Sequence, residues 1–334
     1  MRPGAAVSVG LLLAALAAPV RAADEEATSP LAVEDLAPVA ITYGHFYEGG
    51  FQGPTGVTCD ARTGEMYVAD SGRGLIGIFD GKGAPLFTFG DPGRLRVPIK
   101  AVVDGQGRIV VLDSADRRRL RLYNYRGEFR TFLALEGMEA KADLAITAIA
   151  VDSQGNLLVG DSGHGEVLVF DPKGRLLFRF GNKGKGPNEF DSIMGIAATA
   201  DRIYVSDSAG IGVQVFDRRG RYLRGWGRHE AGRENVSFPH GISVDGKGRI
   251  ALVDSLRHEI KLYAPDGKLI GQYGGAGQRP GDVLYPADAS FDGEGRLCLA
   301  DRGNNRVQVL QPREPPPPKP EPKLEPAPKP KPAP

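Results

Sequence analysis

The sequence predicts an all-β fold: a six-bladed β-propeller of four-stranded antiparallel blades, with an N-terminal strand closing blade 6. Three observations predict it. A segment ending in aspartate recurs six times, at Asp70, Asp113, Asp161, Asp207, Asp254 and Asp301, every 43 to 48 residues. Each copy consists of short runs rich in Val, Ile, Leu and aromatics, punctuated by D-x-x-G turns, as in "PHGISVDGKGRIALVD". Many runs are apolar in both parities: Ile250 and Leu252 alternate with Ala251 and Val253. Short runs joined by tight turns are hairpin strands. Apolar residues on both sides of a strand mean burial on both sides. A repeat of this period, stacked between like neighbours, builds a propeller.

Along the chain, residues 1–22 come first. Arg2 precedes an apolar run from Val7 to Ala18, then Pro19 and the small-residue pattern Val20-Arg21-Ala22. That run is too short to span a bilayer and suits a cleavable signal peptide. The expectation is export to the periplasm or the extracellular space of a bacterium, with no membrane span. Residues 23–36 carry five acids and no base, a flexible lead-in. The propeller is expected over 37–311. Its sixth repeat stops at its third strand, and "VAITYG" near the N-terminus ends on the aromatic-glycine pair that finishes most blades, so this segment should close the ring. Closure removes sheet edges. Residues 312–334 hold twelve prolines among lysines and glutamates, a disordered Pro/Lys-rich tail or spacer of polyproline II character.

Composition excludes several classes. Formal net charge is +1, which argues against nucleic acid, whose binding rests on neutralising phosphates. Cys59 and Cys298 are the two cysteines, with no C-x-x-C pair. They fall in blades 1 and 6, neighbours across the closing seam. They either staple it as a disulfide or remain two buried thiols, the reading the sequence favours.

The blades resemble the NHL-repeat family, whose blades carry P-x-G-[IV]-x-x-D-x-x-G-x-[IL]-x-V-x-D followed by R-[IV]-x-V-F; blade 6 matches the second part well with "DRGNNRVQVL". The resemblance covers about residues 37–311 and implies the propeller. Blade 5, "PHGISVD…VDSLRHEIKLY", also resembles one blade of the zinc-dependent peptide-amidating lyases. That family's zinc site draws histidines from the position opening the first strand of separate blades. Here those positions are Thr55, Ile99, Thr147, Met194, His240 and Ala287, only one of them histidine. Catalytic zinc needs three protein ligands and an open position.

All five histidines map to the face carrying the interblade loops and the loops between second and third strands: His45, His164, His229, His240 and His258. The resemblance places ligands on this face. Metal candidates are His240, His258 and His229, with zinc or calcium as the cations to consider; no cofactor is predicted outright. Candidate ligand-binding residues are His240, Arg257 and His258 in blade 5, Arg117 and Arg118 in the basic blade 2, and Arg302, Asn304 and Asn305 in blade 6. The six strand-end aspartates look catalytic singly, but sixfold recurrence in one register assigns them a structural task, accepting hydrogen bonds from the backbone of the following loop.

The favoured functional reading is a monomeric, non-catalytic scaffold for a protein or polysaccharide, because the loops vary from blade to blade over a regular frame. The alternative is a metal-dependent lyase or hydrolase with its site around blade 5.

Overall fold

The computed structural model describes residues 35–45, 47–138 and 144–314. The expected signal peptide, most of the lead-in and nearly all of the Pro/Lys tail lie outside these residues. The described chain is a six-bladed propeller, all-β apart from one 3-10 turn at Arg302–Asn304.

Blade 1 is built from Pro54–Asp60, Glu65–Asp70, Leu75–Phe79 and Pro85–Gly90, each strand pairing antiparallel with the next. Blades 2 to 5 repeat this order, beginning with Pro98–Val103, Ile146–Val151, Ile193–Ala198 and Pro239–Val244. In blade 6, Asp288–Phe291, Leu297–Asp301 and Arg306–Arg313 are joined by the N-terminal strand Asp35–Thr42, so the ring closes as the sequence predicts. The closing ladder is longer than expected. It runs from Asp35↔Arg313 to Thr42↔Val307, with an irregularity between Pro38 and Ala40. Leu36, read as lead-in, is buried in the apolar cluster between blades 5 and 6, and its burial draws the strand outward by two residues.

Packing explains the double-sided apolarity. Among the described residues six apolar clusters form, each bridging two successive blades. Middle strands such as Ile250–Asp254 and Leu297–Asp301 are buried throughout, because a neighbouring blade covers each face. The outermost strands alternate: in Leu176–Phe180, Leu177 is exposed while Phe180 is buried.

The turns opposite the loop face show why the motif is D-x-x-G-R. In blade 2, Asp104 accepts the N–H groups of Gln106 (2.8 Å) and Arg108 (2.9 Å), and Arg108 Nε returns to the same carboxylate at 2.7 Å. The pairs Asp171–Arg175, Asp217–Arg221, Asp245–Arg249 and Asp292–Arg296 repeat this bond. Glycine supplies the positive φ of the turn, +75° at Gly107. Each of these arginines is paired with the aspartate of its own turn.

Cys59 and Cys298 are free thiols at the seam between blades 6 and 1. Cys59 Sγ donates to the Ser290 carbonyl at 3.5 Å, and Ser290 pairs with Cys298 in the ladder. The Cys59 thiol beside it and burial together push the Cys298 thiol well above its ordinary pKa.

Candidate functional site at the axial cavity of the loop face

The first strands line the axis, and their local geometry selects what the axis presents. In five blades the pairing of first and second strands slips by one residue near the start: between Pro54 and Gly56, Pro98 and Lys100, Ile146 and Ala148, Ile193 and Gly195, and Pro239 and Ile242. A bulged residue escapes the ladder and its side chain is re-aimed. Thr55, Ile99, Thr147, Met194 and His240 sit at these slips, and all five line one axial cavity of about 610 Å³ on the loop side. Ala287, the sixth equivalent, does not line it; its neighbour Asp288 does. The histidine ring that a lyase-type zinc centre requires is therefore absent at these positions, and the residues present do not fit that centre.

The cavity walls carry hydroxyls and charges. Thr55 Oγ1 lies 2.6 Å from Ser71 Oγ, and Thr147 Oγ1 lies 2.7 Å from Ser162 Oγ. Lys100 from blade 2 and Asp288 from blade 6 form an ion pair across blade 1. Lys100 Nζ also donates to the Val57 carbonyl (2.8 Å), and Asp288 accepts the Val57 N–H (2.9 Å). Lys183 is paired with Asp191 at 2.9 Å. Arg117 and Arg302 line the cavity, are exposed, and make no ion pair with another described residue. His240 is half-buried, and desolvation lowers its pKa, against the pull of Asp288.

Other sequence candidates serve the frame. His258 adopts φ +56°, in the loop position that Gly74, Gly165 and Asn305 occupy in other blades. Its Nδ1 accepts the Tyr285 N–H at 2.9 Å, and its ring packs edge-on against Tyr285. Arg257 donates to the carbonyls of Gly232 and Glu230, both at 2.8 Å. Asn304 Nδ2 holds the Gly277 carbonyl and Asp301, and Asn305 Oδ1 accepts the Gly53 N–H across the closing seam at 2.8 Å. His229 is exposed, with Nδ1 near the Ser237 carbonyl at 3.2 Å. His45, by contrast, is buried, bonded to Asp70 at 3.1 Å. Among the described residues, the metal-ligand types that gather closely are Asp161, His164 and Glu166, with no contribution from His240, His258 or His229. His164 Nδ1 is 2.7 Å from Asp161 Oδ2, but Asp161 already accepts the N–H groups of Ala145 and Gly163. Arg118 is exposed and lines a separate hollow with Asp116, Leu120 and Phe132. Of its blade-2 neighbours, Arg119 binds Asp116 and stacks 3.9 Å over Phe132, and Arg121 is buried beside Asp113.

The strand-end aspartates are fully buried and hold loops, in a wider way than the sequence implies. Asp207 accepts Ala209 and Gly210 from the following loop, and also Asp191 and Ser192 from the preceding interblade loop. Asp113 and Asp254 likewise clamp the preceding loop, through Arg96 and Val97 and through Ser237 and Phe238. A second anchor escaped the sequence reading. At one register of the third strand, Arg121, Gln214, Lys261 and Gln308 are buried polar residues reaching interblade carbonyls. Gly77 occupies that register in blade 1, where a Cβ would meet the His45 ring at 2.8 Å, so His45 fills the space instead. The signal was a polar residue inside an apolar run, as in "IKLY" and "VQVF".

A protein family described as 6-bladed beta-propeller matches residues 103–197. Protein brain tumor of Drosophila melanogaster is 29% identical over 153 residues, 45% of this chain and 14% of that protein. The human E3 ubiquitin-protein ligase NHLRC1 is 29% identical over 100 residues, 28% of this chain and 25% of that protein. The chain thus spans a quarter or less of these relatives' lengths. Among solved structures, a gluconolactonase of Xanthomonas campestris superposes with a TM-score of 0.59 at 17% identity, covering 84% of this chain and 96% of that one. At this identity the likeness is one of fold.

Proposed function

We propose that this chain, a six-bladed propeller of NHL repeats, is an exported, non-catalytic scaffold that takes a protein partner on its loop face. One observation carries the reading. The buried frame repeats blade by blade, whereas the loop residues after each strand-end aspartate do not: "SGRGL", "SADRRR", "SGHGE", "SAGIG", "SLRHE" and "RGNNR". Rigid elements presenting varied loops are how recognition surfaces are built. The exposed, unpaired Arg117 and Arg118 give blade 2 a positive rim suited to acidic groups on that partner. A polysaccharide bearing carboxylates would use the same charges.

The experiment is capture from an extract of the source cells, comparing the wild-type protein with an Arg117→Ser/Arg118→Ser variant and with Lys268→Gln on the opposite face. Loss of a stoichiometric partner in the double variant alone supports the reading. Equal capture by all three places recognition elsewhere. The lyase or hydrolase alternative retains one supporting observation, His240 in the axial cavity. Stoichiometric metal in the purified protein, lost in His240→Ala, would favour it over the scaffold.

A further inference from the structure

The repeat that builds the ring also shows where the ring departs from it. At the third position of the first strand the residue is small in four blades: Gly56, Ala148, Gly195 and Gly241. The reason is close packing of neighbouring first strands. A Cβ on Gly56 would lie 2.3 Å from the Ile99 carbonyl oxygen, and one on Gly241 would lie 2.3 Å from Asp288 Oδ1. Blades 2 and 6 place Lys100 and Asp288 there. After the strand-end aspartate, five blades carry serine (Ser71, Ser114, Ser162, Ser208 and Ser255), while blade 6 carries Arg302. At the bulged position, His240 is the one titratable residue. These four departures come from three blades, and all four line the same cavity. Lys100 and Asp288 also hold the Val57 backbone of blade 1, whereas Arg302 and His240 stand where other blades carry serine and an uncharged residue.

Charge and shape narrow what the cavity takes. Lys100 and Asp288 cancel, as do Lys183 and Asp191, leaving Arg302 and Arg117 as uncompensated cations in the same cavity as His240. The inner end of the cavity is apolar. Ile149, Ile196 and Ile242, with Lys100, line both this cavity and the one on the opposite side of the ring, so they form the apolar waist between the two. Ile99 and Met194 add apolar wall. At about 610 Å³ the space has the size of a small-molecule pocket, with the usual few polar groups on an apolar lining. Water alone would leave the isoleucine floor wetted, and an inorganic anion would use the cations but not the floor.

We propose that the loop-face axial cavity binds a small organic carboxylate. Its head group sits against Arg302 and His240 at the Lys100–Asp288 pair, and its apolar body rests on Ile149, Ile196 and Ile242. The site is independent of which macromolecule the rim recognises, and the test uses the isolated protein.

The probes are sodium octanoate, sodium 4-phenylbutyrate and octanamide, titrated calorimetrically into the full chain. Octanoate or phenylbutyrate binds one per chain, and octanamide, which lacks the charge, binds about tenfold more weakly or worse. Arg302→Gln, exposed and free of structural bonds, weakens the carboxylate by about tenfold and leaves octanamide unchanged. Ile196→Ser weakens all three. Lys268→Gln matches the wild type, and circular dichroism confirms that each variant is folded. The proposal is overturned if neither carboxylate binds by about 10 mM, if octanamide binds as well as octanoate, or if Arg302→Gln retains full affinity.

Discussion

Replacing Asp301 by alanine tests the loop-holding role where the aspartate also pairs with a buried arginine. Asp301 is fully buried and accepts four bonds: from the Leu284 N–H (2.8 Å), Asn304 Nδ2 (2.9 Å), Arg306 Nε (2.7 Å) and Gln308 Nε2 (3.1 Å). Arg306 is 2% exposed, so the variant strands a buried guanidinium. Breaking a buried pair from one side costs about 3–5 kcal/mol, and the remaining donors add to it. Asp254 makes the comparison. It clamps Ser237 and Phe238, but its nearest cation, Arg257 at 3.7 Å, has 23% of its side chain exposed and can turn to water. Asp254→Ala should cost about 1–3 kcal/mol. Urea denaturation followed by circular dichroism measures both, with the slope checked for constancy. Adding Arg306→Met to Asp301→Ala should recover part of the loss, because the stranded charge is gone. If Asp301→Ala costs no more than Asp254→Ala, or if the second substitution recovers nothing, the buried-pair argument is wrong.

Four further outcomes follow from the geometry. Deleting residues 35–42 unpairs the last strand and removes the buried Leu36 and Ala37, uncovering the apolar cluster between blades 5 and 6, and should cost about 3 kcal/mol or more. Ending the chain at residue 314 should change stability by less than about 0.5 kcal/mol; equal effects of the two truncations in thermal melts would contradict closure by the N-terminal strand. Cys298 should resist alkylation in the native protein at pH 8 and react fully in urea, since the Cys59 thiol and burial hold it protonated; rapid native labelling, read by mass spectrometry, would refute this. His240 has a native pKa below its unfolded value of 6.5. The unfolded state therefore binds its proton first, and stability falls as pH drops below about 6.5. A thermal melt series between about pH 5 and 7 should be flatter for His240→Gln than for the wild type; parallel curves would show that the ring titrates normally.

Much of this molecule was legible without coordinates. Six aspartates in one register, D-x-x-G turns and a missing fourth strand are local or periodic signals, and a repeat architecture is the sum of local units. The same logic identified the aspartates as structural. It went less far with the candidate ligand residues. Arg257, His258, Asn304 and Asn305 read as exposed polar loop residues, yet each spends its side chain on a backbone group of a neighbouring loop. Those partners lie 25 or more residues away or across the seam, beyond any pattern in the local string.

The sequence by itself determined the fold class, the blade count, the closing strand and the loop face, because each depends on hydrogen-bonding periodicity and apolar burial within one repeat. Only the tertiary structure decided which side chains share the axis. Lys100, His240, Asp288 and Arg302 stand far apart in the chain and meet because ring closure brings blades 2, 5 and 6 around one cavity, with bulges aiming the first strands inward. Convergence across blades is a property of the closed ring, and no single blade contains it.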